Sequence, residues 1–179
     1  MYLINIAVNF WFQIGSGTYF YDTLRNQWSQ GTIIPGDKRD RHTCITIRQE
    51  NGDPDKVLVV GGFWRKSTEI YDVRTQTWSY GPDVPDSKSG PYIYEGQLVN
   101  AQFASKYAAY LIGYLKIENG YSYQTVVYAI NKNLQTWEDV GISLRPRSSY
   151  VALSVPSTFA NPKHCTKQGN CNDPYRTKL

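Results

Sequence analysis

Two marks recur in phase along this chain, and a repeat of their period restricts the fold more than any other feature of it. The first is a tyrosine–aspartate pair followed by a tryptophan: Tyr21-Asp22 before Trp28, and Tyr71-Asp72 before Trp78, at identical spacing. A third segment, Val126 to Ile130, contains Tyr128 and leads to Trp137, with Ala129 in place of the acid and two extra residues before the tryptophan. The second mark is a proline turn, a basic residue and then a β-prone run. It appears as Pro35 through Arg41-His42 into Thr43–Ile47, as Pro85 through Lys88 into Tyr92–Leu98, and as Arg145-Pro146-Arg147 into Tyr150–Val155. The tryptophans come roughly every 50–60 residues, a period that belongs to stacked supersecondary units.

Each unit has room for four short strands. In the middle unit they are expected over Thr43–Arg48, Lys56–Val60, Thr68–Asp72 and Thr77–Tyr80, separated by polar or glycine-containing linkers. The next unit is expected to run Pro91–Val99, Lys106–Leu115, Gln124–Ile130 and Thr136–Val140, with a tight Asn119-Gly120 hairpin between its second and third strands. Val57-Leu58-Val59-Val60 is apolar without alternation, the pattern of a strand buried on both faces. Aromatic residues make up 15% of the chain, including fifteen tyrosines, which suits packed sheets. No long apolar stripe at helical spacing is present.

The remaining features exclude more than they assign. Net charge is +4, with Lys and Arg spread along the length, so no basic stripe points to nucleic acid. The densest basic stretch, Lys38 to His42, is interrupted by Asp40 and reads as a solvated loop. The apolar run within Met1–Gly17 is broken by Asn5, Asn9 and Gln13 and has no basic residue ahead of it. It reads as a strand-turn-strand remnant, not as a signal peptide or membrane anchor. Cys44, in a Thr-Cys-Ile-Thr-Ile run, is expected to be a buried, inert thiol. Cys165 and Cys171 are spaced to close a small disulfide loop in an oxidising compartment. With His164 they lack paired metal-ligand spacing, so neither a metal nor another cofactor is expected. These signs point different ways on compartment and leave it open.

Taken together, the residues resemble the kelch repeat family, whose mark is Gly-Gly after the second strand, then a tyrosine, then a tryptophan. The middle unit carries all of it as Gly61-Gly62, Tyr71 and Trp78, with Arg41-His42 ahead. Tyr21 with Trp28, and Tyr128 with Trp137, repeat the aromatic part. The next unit has Ile112-Gly113-Tyr114 where the glycines belong, and in the first Gly15-Ser16-Gly17 lies too close to Tyr21. The resemblance implies an all-β fold of kelch-type β-propeller blades, each of four antiparallel strands. About three blades fit the length, against the ~4–8 that close a ring, so an incomplete ring is expected, the C-terminal part of a larger propeller. The expected organisation is a partial blade over 1–34, the best-matching blade over 35–84 and a degenerate blade over 85–144. A closing strand, or the first strand of a further blade, follows over 145–156, and a polar tail over 157–179.

The same resemblance implies a non-catalytic protein–protein interaction module that presents its loops to a protein partner, with actin and ubiquitin-ligase assemblies as the family's examples. Neither nucleic acid nor membrane is expected as a partner. Candidate contact residues are Phe63, Trp64 and Arg65 after the glycine pair, with Arg39 and Arg41, because Trp and Arg are favoured interface anchors. The alternative is part of a propeller enzyme, galactose-oxidase-like or sialic-acid-epimerase-like. Against it, the chain holds only His42 and His164, and no sialidase-type Asp box, nucleophile elbow, P-loop or paired zinc motif. No catalytic residue is therefore assigned.

Overall fold

Where β-branched and aromatic residues cluster between turn residues, the backbone is extended. The structure, a computed structural model, describes residues 17–22, 24–36, 39, 42–48, 55–62, 65–85, 93–101, 106–116 and 123–140. Within them run β1 (Tyr19–Asp22), β2 (Gln27–Gln30), β3 (Thr43–Ile47), β4 (Lys56–Val60) and β5 (Thr68–Asp72), then β6 (Thr77–Tyr80), β7 (Ile93–Asn100), β8 (Tyr107–Lys116), β9 (Tyr123–Asn131) and β10 (Trp137–Asp139). No helix occurs among the described residues. The strands form a two-stranded sheet β1-β2 and two four-stranded antiparallel meanders, β3-β4-β5-β6 and β7-β8-β9-β10. All eight strands expected in the two full units are present, each end within two residues of its expected place. Among the described residues the fold is all-β, with two four-stranded antiparallel sheets of the form expected for propeller blades and no closed barrel. The expected Asn119-Gly120 hairpin, the 145–156 strand and the 157–179 tail lie outside the described residues.

The middle sheet is packed on both sides, which explains the unbroken apolar run in β4. Leu58 and Val60 join Ile47 and Ile70 against Ala109, Leu111, Val126, Tyr128 and Ile130 of the following sheet. Val57 and Val59 point the other way and join Ile34 and Tyr71 against Phe20 of the preceding sheet. Alternate side chains of one strand thus serve two separate cores. The first strands of the two full sheets are also joined directly, since Leu98 N–H donates to Thr43 Oγ1 at 3.1 Å.

Register shows how the repeat works. Trp28 stands opposite Tyr21 and Trp78 opposite Tyr71, with ring centroids 4.9 and 5.0 Å apart. Trp137, however, pairs with Ile130 and not with Tyr128, so the expected equivalence of Tyr128 with Tyr71 is corrected by the structure. The backbone agrees. Gly31, Gly81 and Val140, each three residues past its tryptophan, donate to the carbonyls of Thr18, Thr68 and Val127 at 2.8, 2.8 and 3.0 Å. Ile130-Asn131 therefore holds the place of Tyr71-Asp72. The two apparent extra residues disappear, because Asn131 pairs with Thr136 across the same length of turn as Asp72 with Thr77. Tyr128 lies fully buried in the core between the two full sheets.

The tryptophans clasp one sheet to the sheet before it. Trp78 Nε1 donates to Thr18 Oγ1 at 3.0 Å, 60 residues earlier. Trp137 Nε1 donates to Thr68 Oγ1 at 3.2 Å, and to the carbonyl of Pro82 at 3.1 Å. Thr18 and Thr68 occupy the same place, three residues ahead of Tyr21 and Tyr71, and both are buried. Trp28 has the same local setting but is 56% exposed and donates to no acceptor among the described residues. Replacing Trp137 or Trp78 by Phe removes the donor and leaves a buried hydroxyl unmatched, at a cost of about 1–3 kcal/mol each. Trp28→Phe should stay within about 0.5 kcal/mol of wild type, as exposed changes do. Urea unfolding of the three variants side by side measures the difference, with the order Trp137, Trp78, Trp28 expected from largest loss to smallest.

Candidate partner-binding face

Antiparallel order brings one set of loops to one end of the middle sheet. β3 begins there, β4 ends, β5 begins and β6 ends, so the chain leading into β3, the loop after β4 and residues 81–85 are neighbours. The loop leaves β4 through Gly61 and Gly62, at φ of 65° and 117°. Both angles are in the left-handed half of the map, where a Cβ is disfavoured, and Gly62 lies beyond the left-handed helical region altogether. This is the physical reason for a glycine pair at the corner. Gly113, at the matching position in sequence, sits inside β8 between Gly96 and Val126, so that strand runs on to Lys116 without a corner.

The loop is closed at its base. Gly61 N–H donates to the carbonyl of Ser67 at 3.0 Å, Arg65 N–H to that of Gly62 at 3.1 Å, and Val84 N–H to that of Lys66 at 2.9 Å. Arg65, half-buried, lies within this loop; Phe63 and Trp64, and Arg41 on the chain leading into β3, lie outside the described residues.

Arg39 has a different place from the one its sequence suggests. Its side chain is only 2% exposed and Nη2 meets Glu69 Oε1, itself 1% exposed, at 2.5 Å. Nη1 also donates to the carbonyl of Gly61 at 3.0 Å, and Nη2 to Ser67 Oγ at 2.9 Å. Its guanidinium is therefore internal and not offered to a partner, which corrects its place among the contact residues and its reading as part of a solvated loop. Burial pushes the Glu69 carboxyl above the usual carboxylate range and the Arg39 guanidinium below its own, each opposed in part by the other's charge. Glu69 carried no signal in sequence. It is one of two acids in the short strand Thr68–Asp72, and nothing along the chain separates it from the turn acid Asp72.

At the opposite end of the sheet lie the tight turns. Asp72 Oδ1 accepts the N–H groups of Arg74 and Thr75 at 2.9 and 3.0 Å, and Asp22 Oδ1 accepts those of Leu24 and Arg25 at 2.9 and 3.1 Å. In both turns the residue four places past the aspartate, Gln76 or Asn26, takes positive φ. This accounts for the repeated Tyr-Asp: the acid closes the turn and the tyrosine packs under the tryptophan. The N–H of Thr75, helped by that of Arg74 and by the charge of Lys56 at 3.7 Å, holds the Asp72 carboxyl below its ordinary 3.8.

Cys44 is exposed, not buried as expected, because Ile45 and Ile47 take the core-facing positions of β3 and leave Cys44 on the other face. Desolvation by its neighbours still pushes its thiol pKa up, which keeps it in the unreactive form. Cys165, Cys171 and His164 lie outside the described residues. Among the described residues no cluster of His, Cys, Asp and Glu could hold a metal ion.

Comparison with known proteins places one family on this geometry. Residues 53–85 match the kelch motif, a span that takes in β4, the glycine corner, the loop after it, β5 and β6. Three strands of the middle sheet thus carry the kelch motif, and its four-stranded antiparallel form is consistent with a kelch blade. A search of curated proteins found no match to the chain.

Two outcomes follow from the corner and the turn. Gly62→Ala places a Cβ at a φ that L residues avoid and should cost on the order of 1–3 kcal/mol in urea unfolding, more than Gly61→Ala. Because the Asp72 pKa is depressed, its stabilisation is present above pH 3.8 and lost as pH falls through the folded-state value. Asp72→Asn should accordingly flatten the fall of melting temperature on acidification below that pH, compared with wild type.

Proposed function

We propose, from the kelch motif at residues 53–85, that this chain is a non-catalytic protein-interaction module whose contact face is the strand end carrying the loop after Gly61-Gly62. Kelch motifs generally mediate contacts between proteins, which supports the coarse assignment. The observation that carries the finer one is the closed base of the loop. Its two ends are joined by a backbone hydrogen bond and its exit is tied to Val84, so the chain on either side of Phe63 and Trp64 is held by backbone bonds. A pre-organised loop loses less entropy on binding than a floppy one. By contrast, both faces of the middle sheet are already consumed by its neighbours. Arg41, two residues after the anchored Arg39 in sequence, is retained as a candidate contact.

The partner is a protein, and neither actin nor a ubiquitin-ligase component is favoured by any residue described above. An oxidase-like or epimerase-like role rests on likeness of fold alone, which does not carry function. The test is a binding curve for a captured and purified partner against the full chain and its Trp64→Ala/Arg65→Ala variant. Affinity should fall by about tenfold to a hundredfold, as for loss of one or two interface anchors, with the melting temperature unchanged. Equal affinity in the two proteins removes this loop from the contact face.

A further inference from the structure

We propose that Glu69 is a positioning residue, acting through Arg39 to hold the loop after Gly61-Gly62 and the chain leading into β3 in one fixed arrangement. The inference rests on the reading of that end as the contact face.

The geometry is that of a staple. Glu69 lies on β5, an inner strand, paired in register with Val59 of β4 and Tyr80 of β6, so its backbone is held from both sides. Its carboxylate grips Arg39, which belongs to the chain leading into β3. The same guanidinium reaches the Gly61 carbonyl and the Ser67 hydroxyl, which are the first and last residues of the loop's hydrogen-bonded base. One side chain therefore joins both ends of the loop to the neighbouring segment, and a single carboxylate on a rigid strand sets where that side chain sits. Arg39 thus adds side-chain bonds to the backbone bonds within the loop and from Val84.

The cost of the arrangement argues for a role other than stability. A buried ion pair must overcome the desolvation of both charges, and a well-packed apolar pair of like volume is often as stable or more so. The directions in which burial moves the two groups, away from their charged forms, show that cost acting here. Glu69 Oε2 and Arg39 Nε are also buried without a hydrogen-bond partner, so the pair is not fully compensated. What an apolar pair cannot supply is the directional set of bonds to Gly61 and Ser67.

The test separates positioning from stability by comparing the full chain with an Arg39→Met/Glu69→Leu double variant, which keeps volume and removes both charges. The expected result is a melting temperature within ~5 °C of wild type, together with amide hydrogen exchange that is about tenfold faster or more at residues 61–67. Exchange at Val57–Val60 should be unchanged. The single Glu69→Gln variant, which leaves Arg39 buried without its counter-charge, should melt lower than the double variant. Unchanged exchange at 61–67 in a folded double variant overturns the proposal. So does a double variant that fails to fold, or one whose exchange rises equally in β4 and in the loop, since the pair is then a stability element only. None of these readings involves a partner. Failure of the contact-face assignment shows up separately, as unaltered partner affinity in Trp64→Ala/Arg65→Ala.

Discussion

An indole N–H reaching across to a threonine hydroxyl is the contact on which the stacking of these sheets depends. A four-stranded sheet with an apolar run through its centre cannot stand alone in water, because both of its faces need cover. Apolar packing supplies the cover but has little directional preference. The bonds from Trp78 to Thr18 and from Trp137 to Thr68 add direction, fixing which residue of one sheet meets which residue of the last. The packing beside each bond follows suit. Gly31 and Gly81 are so close to Phe20 and Ile70 that a Cβ on either would meet those side chains at 2.3 and 3.0 Å. At the matching positions of the last sheet stand Val140 and Ala129, with the small residue now on the other strand. Volume is exchanged between the two places while the backbone bond between the strands is retained.

Inside this frame, the Arg39–Glu69 pair is an exception to the economy of the core. Among the described residues the other buried side chains are mostly aliphatic or aromatic, and Thr18 and Thr68 satisfy Trp78 and Trp137. Here a charge of each sign is buried at the strand ends, where three segments of backbone converge. There the guanidinium bonds the Gly61 carbonyl and the Ser67 hydroxyl as well as the carboxylate, bonds that an apolar pair would not make. Structure and proposed function meet at this point, since the segments held by the pair are those that sequence marks as rich in Trp and Arg.

Much of the fold was legible in the residues alone. The alternation and turn residues located eight strands closely, and the unbroken Val57–Val60 run revealed a strand with two buried faces before any packing was known. The third repeat was misaligned because tyrosine is a conspicuous mark and isoleucine is not. Only the pairing of Trp137 with Ile130 identifies the equivalent position. The candidate site was legible in part. Gly61-Gly62 signalled its corner through the conformations only glycine takes freely. Arg39 was misjudged because charge in a polar stretch reads as exposure, and its partner lies thirty positions away on another strand.

Local chemistry thus determined the strands, their turns and the aromatic repeat, since each depends on residues within a few positions of one another. A tyrosine, an aspartate two hydrogen bonds into its turn, and a tryptophan across the ladder are settled by spacing. Tertiary structure decided which tryptophan is clasped and which is left exposed, which tyrosine is equivalent to which, and that Arg39 turns inward. Those outcomes depend on what another sheet presents at contact distance. A threonine hydroxyl or a buried carboxylate changes the fate of a side chain 60 or 30 residues distant, and no pattern along the chain encodes that meeting.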